Sequence, residues 1–254
     1  MKNMFENDRF IRYVQFNGRI PKDSYLNSLP AVKNLEKNAL NFSSPVTFFC
    51  GENGTGKSTL LEAIAVNYGF NAEGGSINFS FSTKETHSDL YKHINLVKGV
   101  RRAKTGFFLR AESFYNVATE IDRLDEIVAP SPKISGGYGG KSLHIQSHGE
   151  SFMSMAQNRL GGNGLYIFDE PESALSPNRQ MTLLCEIDRL VKNNSQLIIA
   201  THSPILLSYP NAEIYELTDN EIKKILYEET QIYAVTKEFL NNYKKMLKIL
   251  LEDK

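Results

Sequence analysis

The sequence predicts an α/β fold, on three observations. A short apolar run, Val46 to Cys50, passes through a glycine-rich loop into a helix-forming stretch at Lys57. Two further apolar runs, Leu165 to Phe168 and Gln196 to Ala200, each stop at polar residues. Buried strands interleaved with helical segments make a sheet covered on its faces by helices. A chain of 254 residues, 41% hydrophobic and 23% charged, suits one large domain of this kind.

Composition narrows the function classes. Lys and Arg total 29 and Asp and Glu total 29, so the net charge is +0 and no global basic field draws the chain to nucleic acid. Only a local patch, such as Arg101, Arg102 and Lys104, offers a basic contact against the plainer reading of a solvated face. Cys50 falls in a strand and Cys185 in a helix, without metal-site spacing; both are expected reduced and buried, as in a cytoplasmic protein. The first residues carry no apolar signal-peptide core, and no apolar run reaches the ~20 residues that span a bilayer. No internal repeat or long heptad stretch is present.

The first strand is expected over Phe10 to Phe16, and a short helix near Ala31 to Ala39. The central motif follows. Gly51, Gly56, Lys57 and Ser58 complete the pattern G-x-x-x-x-G-K-S/T. Gly51, Gly54 and Gly56 let the backbone curl so that successive N–H groups point inward at an anion. The helix opening at Lys57 adds its dipole and free N–H groups. Lys57 supplies a charge for β- and γ-phosphates, and the Ser58 hydroxyl suits Mg²⁺. The candidate ATP ligands are therefore Gly51, Asn53, Gly54, Thr55, Gly56, Lys57, Ser58 and Thr59.

Ile77 to Phe81 alternates as a half-exposed strand, and residues 82 to 105 read as a polar stretch in which His87 and His93 lie in no ligand pattern. Gly106 to Phe114 is a strand ending in charge. Residues 129 to 142, rich in Pro, Ser and Gly, read as a loop, and Phe152 to Leu160 as a helix. Leu165 to Phe168 then delivers Asp169 and Glu170 at a strand end. Asp169 is placed to hold Mg²⁺, and Glu170 to orient and deprotonate an attacking water. A helix from Asn178 to Lys192 leads to the strand Gln196 to Ala200, with His202 just beyond it. A histidine there either caps local backbone or reaches the phosphate, since ligands of open α/β sheets gather at the strands' carboxyl ends. A hairpin over Glu213 to Tyr227 follows. Thr236 to Leu251 is an amphipathic helix expected to pack on the domain.

Together these motifs resemble the ABC-type ATPase heads, the nucleotide-binding domains of transporters, chromosome-maintenance proteins and overcoming-lysogenization-defect nucleases. The whole chain looks more specifically like the small stand-alone predicted ATPases of bacteria often described as AAA family ATPases. Matching stretches are Leu29 to Val32, Gly51 to Ala65, Gly69 to Gly75, Gly106 to Thr119, Gln146 to Phe152, Leu165 to Pro177 and Ile198 to Leu206, with Tyr227 to Thr230 and Thr236 to Asn241. The resemblance implies a P-loop NTPase with a mixed sheet flanked by helices and a small helical signature region. The chain then divides into a phosphate-loop half over 1–128, a glycine-rich loop and signature helix over 129–164, and the acidic strand, His202 strand and C-terminal elements over 165–254.

It also implies a signature, Leu-Ser-Gly-Gly-Gln in such heads, that touches the γ-phosphate of ATP held by a second subunit. Ile134-Ser135-Gly136-Gly137 is closer in letters, but Gln146 to Glu150 opens directly into a helix, so Ser147, Gly149 and Glu150 are chosen. Two departures stand out. Arg110-Ala111-Glu112-Ser113 occupies the place of the usual strand-end Gln, and Ser176-Pro177 stands where many heads have Asp. The expected activity is ATP hydrolysis with Mg²⁺ through an ATP-dependent homodimer that acts on an unidentified protein partner, in the cytoplasm. The alternatives are an ATP-gated switch for a DNA-acting or defence system with little turnover, and a P-loop phosphotransferase. The Asp169-Glu170 pair with His202 favours the first over the last, because a kinase needs an acceptor site.

Overall fold

The computed structural model describes residues 9–77, 87–110, 119 and 148–252. Ser147, the rival Ser135, most of the expected strand at Ile77 to Phe81, the loop over 129–142 and the segment after Arg110 lie outside them.

Two sheets are formed. The larger has seven strands. In chain order these are β3 (Val46–Gly51), β4 (Gly75–Ser76), β6 (Thr105–Arg110), β7 (Gly164–Asp169), β8 (Gln196–Ala200), β9 (Glu213–Leu217) and β10 (Ile222–Ile225). Their spatial order is β10-β9-β3-β8-β7-β6-β4. The five inner strands, β9, β3, β8, β7 and β6, run parallel, and β10 and β4 close the two edges antiparallel. The smaller sheet is antiparallel, in the order β2 (Leu40–Asn41), β1 (Ile11–Phe16), β5 (Ile94–Lys98).

Strand periodicity divides the core between two faces. Val46, Phe48 and Cys50 of β3 join Tyr166 and Phe168 of β7 on one face. There they meet α3 (His148–Asn158), α4 (Pro177–Lys192) and the short α5 (Pro204–Leu207). Phe49, Ile167 and Ile198 look the other way, onto α2 (Lys57–Tyr68) and the small sheet. Because α2 is sandwiched between the sheets, Leu60, Leu61, Ala63, Ile64 and Ala65 are all buried around it and it shows no single apolar stripe.

Polar bonds fix how the layers sit. The buried Gln196 side chain both accepts from the Ile11 N–H and donates to the Ile11 carbonyl, each at 2.9 Å, pinning β1 to the start of β8. Buried Glu213 accepts from the Ser43 and Ser44 N–H groups and pairs with Lys224 at 2.6 Å, which orders the turn into β3. Both burials are affordable because the groups are satisfied.

Three expectations need correction. Residues 82 to 105 are not simply a polar stretch: they contain β5, whose Ile94 is buried against β1 while Asn95 and Lys98 stay exposed. Cys185 lies on the exposed side of α4, whereas Cys50 is buried as expected and burial pushes its thiol pKa up to about 12. The C-terminal helix α6 (Gln231–Glu252) does not pack on the domain along its length. Beyond a kink at Asn242, Tyr243, Leu247, Ile249, Leu250 and Leu251 are all exposed. Among the described residues its contact with the core is made by its first turns, through Ile232.

Candidate nucleotide-phosphate site

The parallel register brings the chemically interesting residues to one edge. Gly51 lies level with Leu217, Arg110 with Asp169, and Asp169 with Ala200, so β3, β6, β7 and β8 present their carboxyl ends side by side. That is the edge where open α/β sheets take ligands.

The glycine-rich loop is shaped by its own backbone. Gly54 and Gly56 have φ of 83° and 94°, values an L side chain rarely adopts, and Gly56 sits directly before the first turn of α2. The Thr55 hydroxyl donates to the Glu52 carbonyl at 2.9 Å, a staple inside the loop. The loop is also held from outside. The Ala31 N–H, at the start of α1 (Pro30–Leu35), donates to the Thr55 carbonyl at 3.0 Å. Lys57 is 4% exposed, and its ammonium donates to the Gly51 and Glu52 carbonyls at 2.9 and 2.8 Å. Burial lowers its pKa, while Glu170 and Asp169 nearby favour the charged form.

The Ser58 hydroxyl donates to Asp169 Oδ1 at 3.0 Å across 111 residues of sequence. A hard hydroxyl and a buried carboxylate, 7% exposed for Asp169, fit Mg²⁺ beside a phosphate loop. Among the described residues no group of three or more His, Cys, Asp or Glu side chains could hold a metal. Ser58 and Asp169 would thus be the protein's share of the Mg²⁺ shell, with phosphate oxygens and water as the rest.

Glu170 follows in the left-handed region, φ 51° and ψ 53°, unusual for a residue with a long side chain and frequent at functional sites. Its N–H donates to the Ala200 carbonyl at 3.0 Å, and the turn directs its side chain to within 3.6 Å of His202 Nε2. That nitrogen is buried and has no hydrogen-bond partner among the described residues. Burial first, and then the Lys57 charge, lower the His202 pKa, against the pull of Glu170, so the ring is neutral near pH 7. A neutral imidazole with an open nitrogen beside a carboxylate is equipped to donate to a developing anion.

Gly149 and Glu150 lie in α3, which is already helical at His148, ahead of the expected start at Phe152. A Cβ at Gly149 would lie 2.6 Å from the Ala174 carbonyl, so this turn is pressed against the connection that follows Glu170. Glu150 pairs with Arg179 of α4 at 3.3 Å. Asn53 and Thr59 lie on the loop and first helical turn. Arg110 pairs with the buried Glu62 of α2, whose other oxygen accepts the Ser88 N–H at 2.8 Å. One guanidinium nitrogen of Arg110, at the end of β6, is thus turned onto α2. Arg101, Arg102 and Lys104 precede β6 at the opposite edge from the phosphate loop. His93 stacks on Phe16 at 6.5 Å and His87 lies against Tyr91.

Sequence reasoning missed Glu172. It sits in the 3-10 turn Pro171–Ala174, and its carboxylate accepts the His202 N–H at 2.5 Å. A second acid two residues after Glu170 was the available signal. It also missed Glu62, a buried acid inside an apolar helix.

Residues 152–208 match a family model described as "AAA domain, putative AbiEii toxin, Type IV TA system". That segment carries Asp169, Glu170, Glu172 and His202. The arabinose import ATP-binding protein AraG of Mannheimia succiniciproducens is 25% identical over 230 residues, covering 83% of this chain. The chain spans 43% of that relative's length. Two solved structures of an ATP-binding cassette of an ABC transporter, one of them in its ADP conformation, are 14% and 13% identical. Each match covers 92% of this chain and 98% of theirs, with TM-scores of 0.48 and 0.49.

Proposed function

From the similarity to an import ATP-binding protein, we propose that this chain binds and hydrolyses ATP as a sandwich dimer and passes the resulting change of shape to a protein partner. The observation that carries the reading is the Ser58–Asp169 contact at 3.0 Å, beside the Lys57 ammonium. It joins the phosphate loop to the acidic strand where a metal-bound triphosphate would lie.

In this reading residues 1–254 form one nucleotide-binding unit. The loop N–H groups from Asn53 to Thr59 and the Lys57 ammonium hold the phosphates, and Ser58 and Asp169 hold the metal. Mg²⁺ bound there would offset charge on the phosphate oxygens. Glu170 accepts the proton of the attacking water, and His202 donates to the γ-phosphate as charge builds. Ser147, Gly149 and Glu150 of the partner protomer would close the exposed γ-phosphate face, in an isologous pair. In this reading the work is done in the cytoplasm. No helix among the described residues is long and apolar enough to cross a membrane.

The test is light scattering of Glu170→Gln with Mg²⁺-ATP, with Mg²⁺-ADP and without nucleotide. ATP that binds the dimer better than the monomer must shift the population toward dimer, and removing the base preserves that state. A doubled mass with ATP alone is expected. One mass in all three conditions, with ATP binding confirmed separately, would end the sandwich model.

A further inference from the structure

The loop that carries His202 is pinned by one acceptor for each N–H. The Thr201 N–H goes to the Phe49 carbonyl at 3.0 Å, and the Ser203 N–H to the Thr201 hydroxyl at 3.0 Å. The Ile205 and Leu206 N–H groups share the Ser203 hydroxyl at 3.1 Å. Pro204 has no N–H to place. Strand β8 has ended at Ala200, so no ladder partner remains for the His202 N–H. Its acceptor is Glu172 Oε1 at 2.5 Å, reaching back from the turn that carries Glu170.

This contact has a visible cost. Glu172 Oε2 is shut off from solvent and has no hydrogen-bond partner among the described residues. Burial raises the Glu172 pKa, although the His202 N–H and the Thr201 hydroxyl favour its charged form. Half-satisfied carboxyl groups are costly in a protein interior and are uncommon without a function. Of the three buried side-chain atoms without a partner among the described residues, two belong to Glu172 and His202.

We propose that Glu172 is a positioning residue for His202. By accepting the His202 N–H it ties the end of β8 to the acidic turn after β7, and so fixes the 3.6 Å spacing between the His202 imidazole and Glu170. Sensor and base then move as one piece. The catalytic consequence rests on the hydrolysis reading above; the tether itself does not.

Three variants separate the alternatives. Glu172→Gln keeps an amide oxygen that can accept the N–H. Glu172→Leu removes the acceptor while keeping the volume, and Glu172→Ala removes both. Amide hydrogen exchange at His202 is measured in nucleotide-free protein, together with ATP turnover and ADP affinity. In the Leu and Ala variants His202 exchange should quicken by about tenfold or more, as for loss of a hydrogen bond to a charged group. Turnover should fall about tenfold or more while ADP affinity stays within about twofold. Glu172→Gln should restore most of both. Wild-type exchange in Glu172→Leu would overturn the tether. A Gln variant as slow as Leu, with His202 exchange still protected, would assign the effect to the carboxylate's charge and overturn the positioning role. Absence of turnover in the unmutated protein would end the hydrolysis reading, and the exchange measurement would still decide the tether.

Discussion

Gly51 and Gly54 belong to the same glycine-rich loop, yet the structure assigns them different burdens. Gly51 has φ of 128°, and its Cα faces the backbone of β9. A Cβ built there would overlap the Leu217 carbonyl oxygen and approach Leu217 C and N at 3.0 and 3.1 Å. Gly54 has φ of 83°, and a Cβ there would meet nothing within 4 Å. Gly51→Ala therefore combines backbone strain of about 1–3 kcal/mol with overpacking of about 1–3 kcal/mol. The overpacking falls on main chain, which cannot rotate away, so a total near 4 kcal/mol is expected on these scales. Gly54→Ala carries only the conformational term, about 1–2 kcal/mol. With an m-value of about 2 kcal/mol/M in urea, the Gly51 variant should lose about 2 M in unfolding midpoint and the Gly54 variant about 0.5–1 M. Equal midpoints for the two variants would refute the claim that the close approach of β3 to β9 requires glycine at position 51.

Two further predictions concern His202 and the terminal helix. His202 has a lowered pKa, so between that pKa and the ordinary value near 6.5 the unfolded chain binds more protons than the folded one. Stability should therefore rise with pH through this window, and His202→Gln should flatten that part of the profile in thermal melts; an unchanged slope would deny the shift. Leu250→Glu, on the exposed part of α6, should move stability by no more than about 0.5 kcal/mol. Leu183→Ala, at 1% exposure on α4, should cost about 2–5 kcal/mol. Similar losses in denaturant unfolding would mean that α6 packs in solution.

The parallel core was legible because its information is local. Val46 to Cys50, Leu165 to Phe168 and Gln196 to Ala200 are continuous apolar runs with polar or glycine-rich stops, and such runs have few alternatives to a buried strand. The edge that gathers the candidate residues could be read from the same runs, since parallel strands deliver their carboxyl ends together. Strand β5 was hidden because it is half-exposed: only Ile94 of its five residues is buried, and its pairing with β1 spans most of a hundred residues. Glu172 looked like an ordinary turn acid because its partner is a main-chain N–H 30 residues away. Glu62 was hidden in an apolar helix for the same reason, its partners Arg110 and Ser88 being distant in sequence. The amphipathic pattern of α6 specifies an apolar face but not what covers it, and so its exposure could not be foreseen.

The central claim is that the loop from Gly51 to Ser58, with Asp169 beside it, is a nucleoside-triphosphate site. Calorimetric titration of Mg²⁺-ATP into the unmutated protein and into Lys57→Ala tests it most directly. Lys57 is buried against the loop, and no other lysine lies between Lys37 and Lys84 to take its place in sequence. Loss of its charge-assisted contact to phosphate should weaken ATP binding by about tenfold or more, with the thermal midpoint of the nucleotide-free variant preserved well enough to show a folded protein. Equal ATP affinity in the two proteins would contradict the assignment.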